Sequence, residues 1–328
     1  FAGREPSDDL QAQEFLRDRP SAVVQVIQEG SSAIHFSQET GPLKIALAGL
    51  VHQHGTGRLS AAQRREDVES VGIHEPNVEL FERLAKQYDV PVELRYDDLE
   101  TMLDATKPEA VSAMTTIADH VRVVEACAPR GIHTLLEKPL AFRTEDSEAM
   151  AALSREHGVL VLTNYETSWY ASVRDAHDRV KSGAFAPLRK MVFRHGHKGP
   201  IEIGCYPEFT DWLTTDEHNG GGAIVDFGCY GAGLATWMMD GARPNRVVAT
   251  AATLKPDMYP TVDDDATIVL EYDGVTTILE ASWCWTHDYK EMDLFTESGS
   301  LHAAKWKALT SRRPNQPIEE VAPAELEE

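Results

Sequence analysis

Leu43-Lys44-Ile45-Ala46-Leu47-Ala48-Gly49-Leu50-Val51-His52-Gln53-His54-Gly55-Thr56-Gly57-Arg58 is a nearly continuous apolar run that breaks into a glycine-rich turn. Apolar residues without alternation indicate a strand covered on both faces, as in a parallel sheet. The turn that follows is where a dinucleotide pyrophosphate meets backbone N–H groups at a helix start, and small residues let the backbone approach. Gly49, Val51, His52, His54 and Gly55 are therefore the first candidate cofactor contacts. The spacing departs from GxGxxG, because Val51 and His54 occupy the second and third glycine positions; a purely structural turn is the competing reading.

Downstream the same alternation recurs. Val68 to Ile73 reads as a second strand, and Glu75 follows Gly49 by 26 residues. A carboxylate there can accept both adenosine ribose hydroxyls and repel a 2'-phosphate, which favours NAD, while Arg58, Arg64 and Arg65 keep NADP as the alternative. Val78, Phe81, Leu84, Ala85 and Tyr88 mark a helix face. A short strand is expected at 92–94, a helix over 99–105, and a strand over 110–114 that leads through Thr115 and Thr116 to a helix over 119–128, closed by Gly131. Next, His133-Thr134-Leu135-Leu136-Glu137-Lys138-Pro139-Leu140 is a buried strand ending in a carboxylate, an ammonium and a proline. Ligands of an open parallel sheet bind beyond the carboxyl ends of its strands, so Lys138 is placed to face one; the alternative is a charge snorkelling to water. Thr144 is expected to cap a helix that Gly158 ends, and 159–163 to form a sixth strand. The fold class expected is α/β, with a doubly wound Rossmann parallel sheet over 43–163.

From residue 164 to 310 the pattern shifts to longer strands and irregular loops, predicting an α+β domain with a large, mostly antiparallel sheet. Ala266 to Tyr272, Gly274 and Thr276 to Ala281 read as a hairpin. Gly220-Gly221-Gly222 lets the backbone pass close to another surface, and Asp226 and Tyr230 fall at i and i+4, on one face of the helix expected there. A carboxylate and a phenol one turn apart can share a substrate hydroxyl; the alternative is a helix-start acid and a core tyrosine. Candidate substrate contacts are Tyr165 and Trp169, whose faces suit sugar C–H groups, together with His195, His197 and Lys198 at a strand end. His195 and His197 lack a third ligand at a persuasive spacing, so no metal is expected. Asp263, Asp264 and Asp265 read as a solvated turn. Residues 1–42 form an N-terminal arm without sustained periodicity, and 311–328 an acidic tail.

Composition narrows the function classes. The chain has 328 residues and a formal charge of −22, from 53 acidic and 31 basic side chains, which argues against nucleic acid as a partner. The acidic excess fits a high-salt habitat or an ordinary acidic protein. No apolar run is long enough to span a membrane. Cys127, Cys205, Cys229 and Cys284 show no CxxC spacing and are expected to be buried thiols. The absence of an initial methionine leaves the compartment open.

These motifs together resemble the glucose-fructose oxidoreductase, inositol dehydrogenase and rhizopine catabolism family of NAD(P)-dependent oxidoreductases, over roughly residues 43 to 310. Glu137-Lys138-Pro139 looks like its EKP signature. Asp226 and Tyr230 match its DxGxxH element, with tyrosine in place of histidine as in the glucose-fructose oxidoreductase and dimeric dihydrodiol dehydrogenase branches. His120 matches the histidine that opens the helix after the fourth strand, with Thr115-Thr116 standing for the usual Thr-Pro. The resemblance implies cofactor contacts at Thr115, Thr116, His120, Glu137 and Lys138, a sugar or polyol substrate and, by analogy with periplasmic relatives that carry N-terminal arms, an exported protein over a cytoplasmic one; an exposed sheet face in the second domain would favour a homo-oligomer, dimer or tetramer. The expected chemistry is hydride transfer between a secondary carbinol and the nicotinamide. Tyr230 would be proton donor and acceptor, Lys138 its electrostatic partner and substrate clamp, and Asp226 the orienter or alternative base. An NAD-dependent glycoside hydrolase working by transient oxidation and elimination, and a silent sugar or dinucleotide sensor, are the other readings.

Overall fold

The computed structural model describes residues 41–62 and 64–323, in two compact units that divide between Asn164 and Tyr165. Apart from its last two residues, the expected N-terminal arm lies outside the described residues.

The first unit is a six-stranded sheet: β1 (Leu43–Ala48), β2 (Val68–His74), β3 (Arg95–Tyr96), β4 (Ala110–Ala113), β5 (His133–Glu137) and β6 (Val161–Asn164). All its pairings are parallel, in the order β3-β2-β1-β4-β5-β6, which is the doubly wound dinucleotide-binding topology. β1 explains its own apolar run. Ala46 and Ala48 enter one buried cluster with Val111, Val123 and Leu136, while Leu47 enters another with Ile73, Leu80 and Phe81, so both faces of the sheet are covered. The helix Val78–Tyr88 starts where Asn77 accepts the Leu80 N–H, and Leu80, Phe81, Leu84 and Ala85 are its buried face.

The expected strand at 92–94 is instead a 3-10 turn, followed by the two-residue β3. A proline before Val92 and the absence of any buried residue in Val92–Leu94 leave nothing to hold extended chain there. Thr144 is the first residue of its helix and not its cap, a position held by Arg143.

The second unit carries an eight-stranded sheet made of β7 (Leu188–Gly196), β8 (Arg246–Ala252), β9 (Asp265–Tyr272), β10 (Val275–Ser282), β11 (Tyr289–Thr296), β12 (Gly299–Ala304), β13 (Ala308–Arg312) and β14 (Glu319–Val321). The order is β14-β13-β12-β11-β7-β10-β9-β8, antiparallel except where β7 meets β10. The helices Ala171–Lys181 and Gly228–Met238 bury Val173, Ala176, Leu234, Ala235 and Met238 against Phe193, Leu279, Met292 and Leu301 of the sheet. The hairpin expected around Gly274 is β9–β10.

The sheet does not stop at residue 310. β13 runs across that boundary and β14 lies within the supposed tail, because Leu309 and Ser311 are buried and Ser311 Oγ donates to Glu319 at 2.8 Å. Among the cysteines only Cys127 is fully buried; the other three are half-buried free thiols. No helix of the described residues is long and apolar enough to cross a membrane.

Candidate functional site

In the first unit the turn after β1 is built on Gly49, whose φ of +78° lies in the left-handed region. A Cβ there would stand 2.9 Å from Thr115 Cγ2 and 3.1 Å from the Met114 carbonyl, so the turn is pressed against the end of β4. The His52 N–H donates to the Met114 carbonyl at 3.0 Å and ties the turn to that strand. Thr115 Oγ1 donates to the Thr116 carbonyl at 3.0 Å, and Thr116 Oγ1 to Asp119 at 2.7 Å.

Glu75 stands at the end of β2 but is only 1% exposed. Its Oε2 accepts the Leu50 N–H at 2.7 Å and its Oε1 the Asn77 N–H at 2.8 Å. The carboxylate therefore braces the glycine turn, a task the spacing alone does not reveal. Glu75→Ala would remove the carboxylate that accepts the buried Leu50 N–H and is expected to cost about 1–3 kcal/mol. Glu75→Gln, which keeps one acceptor oxygen, should cost less; denaturant unfolding of both variants checks the order.

Glu137 closes β5 with no exposed surface. Its Oε2 meets His54 Nδ1 at 3.0 Å and its Oε1 accepts Asn164 Nδ2 at 3.0 Å, with Arg58 Nη2 4.0 Å away. Burial alone would raise the Glu137 carboxyl, but the His54 ring and the Arg58 guanidinium outweigh it and hold the group below the usual carboxylate range. His52, Val51 and Gly55 complete the turn, and burial pushes the His52 imidazole well below its ordinary value, so it is neutral. Among the described residues, His52, His54 and Glu137 form the one group with metal-ligand spacing, their donor atoms lying within 4.8 Å of each other. Those donors are committed internally. The His54 N–H donates to His52 Nδ1 at 3.2 Å, which puts the His52 proton on Nε2, and His54 Nδ1 is engaged with Glu137.

Lys138 follows at 6% exposure, joined to Pro139 by a cis peptide bond. His120, with no exposed surface, lies within 3.0 Å of the Leu140 carbonyl through Nδ1, which must therefore carry the proton. Burial lowers the His120 pKa and keeps it neutral, so Nε2 is an acceptor, and it has no partner among the described residues. A buried acceptor left open beside the strand ends suits a bound group rich in hydroxyls, as the ribose of a dinucleotide is.

In the second unit the three glycines precede two short helices. A Cβ on Gly222 would fall 1.8 Å from the Asp263 carbonyl oxygen. Asp263 in turn accepts the Gly222 N–H at 2.8 Å and the Ile224 N–H at 2.7 Å, and Asp264, with no exposed surface, accepts the Leu254 and Lys255 N–H groups, both at 2.7 Å. The triplet Asp263-Asp264-Asp265 is thus no solvated turn; the carboxylates of two of its members hold backbone N–H groups of other segments. Asp226 and Tyr230 do not share one continuous helix. The chain breaks at Phe227 between the helices Ala223–Asp226 and Gly228–Met238.

Asp226, 6% exposed, accepts the indole N–H of the fully buried Trp283 at 2.9 Å. Tyr230, 2% exposed, has the His195 ring 5.4 Å away, Tyr165 edge-on at 6.4 Å and Phe227 at 6.1 Å, centroid to centroid. His197 lies edge-on to Phe227 at 4.8 Å, and its Nδ1 accepts the Gly199 N–H at 2.9 Å. Lys198 is exposed, and its carbonyl accepts Lys255 Nζ at 2.7 Å. Trp169 lies beneath the Arg174 guanidinium at 5.5 Å. Of the expected substrate contacts, Tyr165 and His195 are thus brought to Tyr230, His197 reaches it through Phe227, and Trp169 and Lys198 are engaged with other groups. Two residues that sequence reasoning missed also belong here. Lys290 Nζ lies 5.5 Å from the Tyr230 ring centroid and is paired at 2.5 Å with Glu166.

His195 is 2% exposed, and burial, helped by the Lys290 charge, pushes its pKa from 6.5 to about 3. A histidine lowered on folding contributes stability that is full above its unfolded value and is lost as pH falls from there towards the folded one. His195→Gln should remove about 2 kcal/mol of the stability lost between pH 7 and pH 5, as read by denaturant unfolding at the two pH values.

Two family models match the chain. One, described as the oxidoreductase family with NAD-binding Rossmann fold, covers residues 43–165; the other, the GFO/IDH/MocA C-terminal domain, covers 173–302. Among curated relatives, the D-xylose 1-dehydrogenase [NADP(+)] of Haloarcula marismortui is 25% identical over 55% of this chain and 49% of its own length. The trans-1,2-dihydrobenzene-1,2-diol dehydrogenase of Bos taurus is 23% identical over 70% of this chain and 64% of its own. The match thus spans half to under two thirds of these relatives. Among solved structures, an inositol dehydrogenase homologue from Azotobacter vinelandii complexed with NAD+ has a TM-score of 0.76 at 19% identity, over 87% of this chain and 77% of that one.

Proposed function

The chain belongs to the GFO/IDH/MocA oxidoreductase family, and from that premise we propose that it transfers hydride reversibly between a nicotinamide dinucleotide and a secondary hydroxyl of a sugar, cyclitol or related polyol. The observation that carries this reading is the buried phenol of Tyr230, set beside a neutral imidazole and close in sequence to a carboxylate fixed by an indole. Bound dinucleotide would supply the hydride acceptor.

The remaining roles fall to the chain itself. Tyr230 takes the carbinol proton on oxidation and returns it on reduction. His195, uncharged at every working pH, can donate or accept a hydrogen bond without repelling a proton from the substrate. Asp226, oriented by Trp283, positions the hydroxyl. Lys138 takes the part of a buried cation that polarises the carbonyl oxygen in the reductive direction. Gly49, Val51, His52, His54 and Gly55 line the pyrophosphate turn, while Thr115, Thr116, His120 and Glu137 stand at the strand ends. Glu75, buried with both oxygens bonded to backbone N–H groups, does not decide between the dinucleotides; NAD is the cofactor proposed, and NADP is the alternative that the name of the Haloarcula relative supports. A panel of aldoses, cyclitols and diols assayed with NAD and NADP at 340 nm tests the reading. Reduced cofactor accumulating with one substrate class supports it; glycoside cleavage without net reduced cofactor, or no turnover with any of them, refutes it.

A further inference from the structure

An acid/base phenol has to release its proton near neutral pH, whereas free tyrosine does so near 10; a positive charge beside the ring closes that gap by favouring phenolate. Lys290 meets that need within the second unit. It comes from β11, where it is the direct cross-strand partner of His195 on β7, and its Nζ lies 5.5 Å from the Tyr230 ring centroid.

The ammonium is held in place. Glu166 pairs with it at 2.5 Å and also accepts the Tyr170 hydroxyl at 2.7 Å. The pair presents opposite ends to two tyrosines. Tyr170 sits at the carboxylate end, where burial and then Glu166 push its pKa far up. Tyr230 sits at the ammonium end. Lys138, expected from the sequence in this role, belongs to the first unit, and the groups of the second unit named beside Tyr230 bring no positive charge. His195 is neutral, Tyr165 and Phe227 present rings, and Asp226 is an acid tied to Trp283.

We propose that Lys290 is a positioning residue whose ammonium, fixed by Glu166 and Tyr170, holds Tyr230 ready as phenolate. On oxidation the carbinol C–H and O–H bonds break and the C=O bond forms; the hydride with its two electrons goes to the bound nicotinamide dinucleotide, and the proton goes to the Tyr230 oxygen. This inference rests on reading Tyr230 as the acid/base group, but its test needs no substrate.

The chain has nine tyrosines, so the tyrosinate absorbance at 295 nm is titrated in the full chain and in Tyr230→Phe, and the difference isolates Tyr230. The expected midpoint lies below 10, moves up by about one pH unit in Lys290→Met, a tenfold change in proton affinity, and returns in Lys290→Arg. Lys290→Gln replaces the methionine variant if circular dichroism shows that variant unfolded. A Tyr230 midpoint at or above 10 in the unmodified protein, or one unmoved when the ammonium is removed, overturns the inference. A protein that shows the Lys290 effect yet transfers no hydride to any polyol refutes the oxidoreductase reading and leaves the coupling standing.

Discussion

Tyr230→Phe is expected to lower kcat by about 10²–10⁴-fold, the usual weight of a positioned general acid or base, while dinucleotide affinity stays unchanged. The substitution removes one oxygen from a ring that is 2% exposed and leaves its packing against His195, Tyr165 and Phe227 in place. Stability should therefore change by little, and a loss of turnover would report chemistry. The residues proposed to meet the dinucleotide, Gly49, His120 and Glu137, all belong to the first unit, so fluorescence titration with NADH is expected to give the same Kd for both proteins. Asp226→Asn is the informative companion. The amide oxygen can still accept the Trp283 N–H, so the position is kept and only the charge is lost. A smaller fall in kcat than for Tyr230→Phe supports Tyr230 as the proton carrier. Near-full turnover in Tyr230→Phe with none in Asp226→Asn would exchange the two roles.

What is legible in the sequence follows from how local each signal is. The apolar run of β1, the amphipathic face of Val78–Tyr88 and the hairpin around Gly274 depend on neighbours within a few residues, and each lies where its periodicity puts it. Lys138 and Glu137 could be singled out because a strand ends abruptly in charge, and the structure buries both. The failures are tertiary. Three consecutive aspartates look like a solvated turn until Asp263 and Asp264 are seen to cap distant backbone N–H groups. The glutamates after residue 318 look like a free tail until β13 offers an edge to pair with. Asp226 and Tyr230 are four apart, but the helix breaks between them at Phe227, so the i, i+4 spacing does not put them on one continuous helix face. Lys290 and Glu166 had no signal at all: they are 124 residues apart and neither belongs to a motif. Paired charges of this kind become visible only when the sheet brings β11 beside β7.

Gly222→Ala should be the most disruptive single-methyl change in the second unit. The added Cβ would lie 1.8 Å from the Asp263 carbonyl oxygen and 2.9 Å from its carbonyl carbon, both backbone atoms that cannot rotate away. Relief requires the two chain segments to part, and that separation takes the Gly222 and Ile224 N–H groups from the Asp263 carboxylate and the Ala223 N–H from the Asp263 carbonyl. Overpacking alone costs about 1–3 kcal/mol, and the orphaned donors add to it, so a loss of about 3–5 kcal/mol is expected. Activity should fall further than stability. The same segments lead on one side to Asp226 and on the other, past Asp264, to the Trp283 N–H that bonds the Asp264 carbonyl, so parting them moves the indole away from the carboxylate it orients. Thermal unfolding monitored by tryptophan fluorescence, compared with Gly57→Ala as a control where a Cβ meets nothing within 4 Å, separates this from a general intolerance of glycine replacement. Equal melting of the two variants would mean that the close approach at Gly222 is not what holds Asp226 in place.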